Sequence, residues 1–125
     1  MPVEIRVVDA SAVAALLFAE PRADEAADLI AGGFLVAPTL LRYEIGSVCL
    51  RKLRNYPEQR DALLEAHSML DLLGIQEVDV PVKTELLLLA ERGRLTAYDA
   101  AYLWLARSLR APLVTFDEAL ARASR

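Results

Sequence analysis

Ile5-Arg6-Val7-Val8-Asp9-Ala10-Ser11 is the stretch on which the fold turns. Its Ile and Val side chains are β-branched and favour an extended backbone, and the apolar run stops on an acid. The segment behind it, Ala12 to Ala19, is helical in composition. Together these features place Asp9 on a strand-to-helix turn at the carboxyl end of a buried strand, where open α/β sheets keep their sites. A plainer role is also open to the same turn. Asp9 or Ser11 can simply cap the helix that follows, because both residue types accept bonds from the free N–H groups of a first turn.

Working outward, the chain alternates strands with helices. Ala12 to Leu17 opens a helix, Glu20-Pro21 interrupts it, and Arg22 to Ile30 forms a second that ends at Gly32-Gly33. Phe34 to Ala37, closed by Pro38, reads as the second strand, with Thr39 as N-cap of a long helix over Leu40 to Leu53. Asn55-Tyr56-Pro57 breaks that helix, Glu58 to Leu73 forms the next, and Gly74 stops it. Ile75 to Val80 alternates apolar with polar residues, as a half-buried edge strand does. Val82 to Ala90 is a helix ending near Gly93, and Ala97 to Leu109 is a helix apolar on most sides. Pro112 to Phe116 is the last strand, ended by Asp117 much as Asp9 ends the first, and a final helix starts at Glu118. This rhythm predicts a three-layer α/β/α sandwich with a central parallel sheet. The first strand is expected at its centre, between Phe34–Ala37 and Pro112–Phe116, with Ile75–Val80 at an edge.

At 125 residues the chain suits one domain, 1–125, with a single core. One cysteine and one histidine, Cys49 and His67, exclude a disulfide framework and a Cys/His zinc cluster, so any metal must be held by oxygen. No apolar run is long enough to span a membrane, and Ala10 to Ala19 lacks the basic flank of a signal peptide, so a cytoplasmic protein is expected. The net charge of −4 would require local arginines for any nucleic-acid partner, since phosphate affinity comes mainly from Lys and Arg. Basic residues fall in three groups: Arg42, Arg51, Lys52 and Arg54; Arg92 and Arg94; Arg107 and Arg110. Most such groups are solvated faces. Arg92 and Arg94, a few residues before Asp99, are the candidates to reach a nucleic-acid phosphate.

Four acids do not sit as surface acids do. Glu44 has Leu40, Leu41, Ser47 and Val48 as helical neighbours, so its carboxylate lies on a largely apolar face where an unpaired charge is costly. Asp99 is the only charged residue between Ala97 and Ala106, although Thr96-x-x-Asp99 also matches a capping-box spacing. Asp9 and Asp117 end apolar strands, and Asp117 also suits an N-cap. A parallel sheet brings all four to one edge, where they would repel unless a cation lay between them. Oxygen ligands without His or Cys suit Mg²⁺ or Mn²⁺, and such a site suits phosphoryl chemistry.

The ordered set Val8-Asp9-Ala10-Ser11, Glu44, Tyr98-Asp99-Ala100-x-Tyr102 and Val114-Thr115-x-Asp117 resembles the PIN-domain family, particularly the VapC toxins of bacterial toxin–antitoxin pairs. The resemblance covers almost the whole chain. It implies a Mg²⁺- or Mn²⁺-dependent endoribonuclease with Asp9, Glu44 and Asp99 as core acids and metal ligands, and Asp117 as a more variable fourth. It also implies that Ser11 and Thr115 support the carboxylates. The partners implied are an RNA substrate, a VapB-like antitoxin docking near Ala12–Ile30 and Leu40–Leu53, and a second copy of the chain. Family members usually add a short strand after the last helix, which this sequence lacks. Tyr98 and Phe116 flank the acids, where they either stack bases or pack in the core.

Other readings fit less well. A response-regulator receiver domain needs paired acids at the first strand and a lysine ending the last, whereas Asp9 is followed by Ala10 and the only lysines are Lys52 and Lys83. A haloacid-dehalogenase-type phosphatase needs an acid where Ser11 stands. The alternative from another class is a non-catalytic PIN-like interaction module, in which the acids serve structure alone.

Overall fold

The computed structural model describes residues 4–125. Four parallel strands, β1 (Ile5–Val8), β2 (Phe34–Pro38), β3 (Gln76–Val78) and β4 (Leu113–Val114), form one sheet in the order β3-β2-β1-β4. The first strand is thus internal and β3 lies at an edge, as its alternating sequence predicts. Val7 and Val8 are fully buried, and Val7 pairs with Val36 on one side and Leu113 on the other.

Among the described residues seven helices flank the sheet: α1 (Ala10–Leu17), α2 (Ala23–Ile30), α3 (Leu41–Asn55), α4 (Arg60–Ser68), α5 (Thr84–Gly93), α6 (Ala97–Leu109) and α7 (Glu118–Ser124). Helices α1 to α4 pack on one another along the chain, while α5 and α7 gather around α6, which lies against β1, β2 and β4. The result is the three-layer α/β/α sandwich. Helix α6 is buried through Ala100, Ala101, Tyr102, Leu103, Leu105 and Ala106, as its apolar sequence requires.

Several boundaries differ from the sequence reading for identifiable reasons. Helix α1 starts at Ala10, two residues early, because the Asp9 carboxylate accepts from the Ala12 N–H and closes the first turn. Thr39 is not the cap of α3. Its N–H donates to the Val78 carbonyl, extending the β2–β3 pairing, so the helix starts at Leu41 with no side-chain cap. The Glu58–Leu73 segment is not one helix: 3₁₀ turns at Pro57–Gln59 and Met69–Leu73 bracket α4. The second turn tightens the chain as Leu70 enters the core, before Gly74 adopts a left-handed conformation at φ 68°. Strand β4 is shorter than Pro112–Phe116 because side chains capture the next backbone donors. The N–H of Phe116 goes to Ser11 Oγ and that of Asp117 to Thr115 Oγ1.

Candidate active site

The carboxyl ends of β1 and β4 are neighbours, and the turns that follow them are tied together by hydroxyls. Asp9 is 4% exposed. Its Oδ1 accepts from Ser11 Oγ at 2.7 Å and from the Ala12 N–H at 3.1 Å. Its Oδ2 accepts from Thr115 Oγ1 at 2.5 Å. Ser11 and Thr115 in turn accept the Phe116 and Asp117 N–H groups, so a carboxylate on β1 and the start of α7 are set by one network. Two lone pairs per oxygen leave Asp9 with one acceptor direction to spare, on Oδ2.

Glu44 stands on the first turn of α3, and its Oε1 accepts from the Tyr102 hydroxyl of α6 at 2.6 Å. Tyr102 is 1% exposed. Burial, and the Glu44 carboxylate it donates to, push its phenol pKa up, so it remains a protonated donor at neutral pH. Asp99 lies on the first turn of α6, where its N–H donates to Thr96 Oγ1. Asp117 caps α7, with Oδ1 accepting from the Leu120 N–H. Capping and site placement therefore coincide at Asp9 and Asp117, because a strand-to-helix turn at the sheet's carboxyl end supplies both.

All four carboxylates line a single cavity of about 620 Å³, together with Ala14, Ala15 and Phe116. None of the four forms an ion pair among the described residues. The titration of Asp9, Glu44 and Asp99 reflects this. Burial raises Asp9, with Asp117 adding to the shift against the hydroxyl bonds that oppose it. Burial also raises Glu44, with added repulsion from Asp99 and Asp9 and an opposing bond from Tyr102. Asp99 is raised by burial and then by Asp117, partly offset by the Thr96 hydroxyl.

Residues 6–125 match the PIN domain family. The chain belongs to that family. The crystal structure of PAE2754 from Pyrobaculum aerophilum is similar to it, with a TM-score of 0.77 and 27% identity over 98% of this chain and 86% of that one. No curated protein matches. The PIN domain is a nuclease-type fold that generally works with a divalent metal.

The donors in this PIN domain fit such an ion. They are carboxylate oxygens without nitrogen or sulfur, and none is in an ion pair among the described residues; burial and neighbouring acids raise the pKa of Asp9, Glu44 and Asp99. Among the described residues no group of three or more His, Cys, Asp or Glu side chains is gathered closely enough to hold a metal ion. The fit therefore rests on the donor chemistry: Mg²⁺ and Mn²⁺ take oxygen ligands, and Mg²⁺ sites commonly use one or two carboxylates with several waters retained.

The arginines are arranged differently from the sequence reading. Arg92 and Arg94 end α5, outside the cavity lining; Arg92 Nε points to the Leu88 carbonyl and Arg94 is the helix C-cap. Arg22 and Arg51 line the cavity instead. Arg22 is held by two 2.9 Å bonds to Glu25 and lies 3.8 Å over the Phe116 ring. Within the Arg42 group, Arg42 pairs with Asp71 and Glu77 and Lys52 with Glu20, while Arg51 makes no ion pair among the described residues. Tyr102 and Arg22 carry roles that the sequence reading did not assign. A signal for Tyr102 was available: a phenol three residues beyond Asp99 on so apolar a helix needs a buried acceptor. Arg22 had no such signal, because its place depends on how α2 packs beside β4.

Proposed function

We infer that this PIN domain is a metal-dependent endoribonuclease that hydrolyses RNA phosphodiester bonds, and the toxin of a VapBC-like toxin–antitoxin pair. The observation that carries the catalytic reading is the set of four carboxylates that line one cavity and form no ion pair among the described residues. A non-catalytic module would bear their desolvation and mutual repulsion for no return.

Asp9 and Asp99 are the principal metal ligands, with Glu44 and Asp117 completing the site directly or through water. When bound, Mg²⁺ or Mn²⁺ supplies positive charge at the phosphoryl oxygens and a more acidic water nucleophile. The protein's own groups do the positioning. Ser11 and Thr115 orient Asp9, Tyr102 occupies one oxygen of Glu44 and leaves the other free, and Arg22 and Arg51 stand where a phosphate enters. The test is cleavage of total RNA with mapping of the cut ends, comparing wild type with Asp9→Asn, Asp99→Asn and Asp117→Asn at saturating Mn²⁺. The first two variants should abolish cleavage and Asp117→Asn should do less damage. Wild-type cleavage by a folded Asp99→Asn protein would leave Thr96 and Asp99 as a helix cap only and end the nuclease reading.

A further inference from the structure

Beside the carboxylate cavity lies a second one of about 440 Å³, and the two share Ala10, Glu44, Val48 and Arg51 as walls. Its sides are two tyrosines: Tyr43 of α3, 83% exposed, and Tyr98 of α6, 66% exposed. Leu40 and Val48 contribute apolar surface between them. From the N-cap Leu40 along α3, residues 43, 44, 47, 48 and 51 recur at helical spacing, so the tyrosine, the acid and the arginine belong to one face. Tyr98 immediately precedes Asp99, which ties its position to the other wall of the carboxylate cavity. Neither tyrosine hydroxyl has a hydrogen-bond partner among the described residues, unlike the buried Tyr102, and both rings are largely exposed.

We propose that Tyr43 and Tyr98 form a subsite for one unpaired nucleobase next to the scissile phosphate, with Arg51 holding the phosphate between the two cavities. This deepens the nuclease reading and rests on it for the substrate's identity. The chemistry favours a base over other occupants. The pocket is apolar and aromatic, which suits a flat neutral ring. The shared Glu44 wall disfavours an acidic side chain there. The continuity with the carboxylates calls for an occupant that presents a phosphate and, one unit along the same chain, a stacking face. Single-stranded RNA has that form, and aromatic stacking is sequence-tolerant because every base has a π-face.

The experiment compares wild type, Tyr43→Ala, Tyr98→Ala and the Phe or Trp replacement at each position. Binding is read by fluorescence anisotropy in Ca²⁺ to an unstructured oligoribonucleotide and to an abasic ribose-phosphate oligomer of equal length. Cleavage of the same strands is read in Mn²⁺. Wild type should prefer the base-bearing strand. Each alanine variant should weaken that binding about tenfold, leave abasic binding unchanged, and be rescued by the aromatic replacement. Equal binding of the base-bearing strand by wild type and alanine variants would overturn the subsite, as would equal losses on both strands. It would also be overturned if Tyr43→Ala shifted the sedimentation coefficient from dimer to monomer with RNA binding unchanged, since the face would then be a contact between copies. Failure of the nuclease reading looks different: base discrimination persists in binding while wild type leaves both strands intact in Mn²⁺.

Discussion

Asp9 is buried with three donors and no cation, so its charge is oriented by the protein but not neutralised. Substituting either hydroxyl tests that orientation. Ser11→Ala and Thr115→Ala should each weaken Mn²⁺ affinity about 10- to 100-fold, as losses of groups that orient a metal ligand commonly do, measured by titration calorimetry. The Asn series should separate by structure as well. Asp99→Asn removes charge from a residue with few bonds to lose, and should leave thermal stability in chelator unchanged or raised. Asp9→Asn instead turns an amide N–H₂ toward the Ser11 or Thr115 donors, and should be the less stable of the two. The pH response follows from the raised pKa of Asp9, Glu44 and Asp99. A carboxyl that binds its proton more tightly folded than unfolded favours the folded state as pH falls through its folded pKa. In chelator, these three should therefore add stability as the pH drops from neutral toward the ordinary carboxylate range near about 4. Saturating Mn²⁺ should reverse that sign, because a metal ligand must be deprotonated. Melting temperature against pH, with and without Mn²⁺, reads both; the same slope in each would show that the acids do not hold the ion.

At the scale of elements, the turns at the carboxyl ends of β1 and β4 carry the site, and Arg6 secures the opposite end of the sheet. Its Nη1 donates to the Leu29 and Ala31 carbonyls at 2.7 and 2.6 Å, closing the C-terminus of α2 where the backbone turns toward β2. Gly33 is the residue that permits this: a Cβ there would stand 2.8 Å from Arg6 Cδ. Arg6→Met keeps much of the aliphatic stem but loses both charge-assisted bonds, and should cost roughly 1.5–3 kcal/mol in urea unfolding. Since Arg6 is remote from the carboxylates, Mn²⁺ affinity of the folded variant should not change.

At the scale of the whole molecule, several large apolar side chains lie on the surface. Met69, Leu72, Val82, Leu87 and Leu88 are exposed from the end of α4 through α5, and Leu29 and Leu50 from α2 and α3. Scattered exposed leucines are ordinary, but this many on so small a chain favours protein partners. The proposal of a homodimer that also binds a small antitoxin predicts a dimeric mass by sedimentation at micromolar concentration. A strictly monomeric species would count against the dimer. No helix is long and apolar enough to cross a membrane among the described residues.

The parallel sheet was legible in the sequence because it rests on local physics: β-branched runs that stop on acids, separated by stretches at helical period. The four acids were legible for the same reason, since an acid ending an apolar strand or placed on an apolar helical face must be either compensated or used. Element lengths were less so. Whether Thr115 and Phe116 continue β4 depends on hydroxyls that reach across from the β1 turn, and whether Thr39 caps α3 depends on its bond to Val78. Only the tertiary structure brings Ser11 to Thr115 and Glu44 to Tyr102, pairs separated by 104 and 58 residues. It also lines the carboxylate cavity with Arg22 and Arg51 and not with Arg92 and Arg94, because nearness along the chain to Asp99 does not determine the direction in which a helix end faces. Strand and helix arise from each residue's own preferences and those of its close neighbours, whereas the site is made where distant segments pack together.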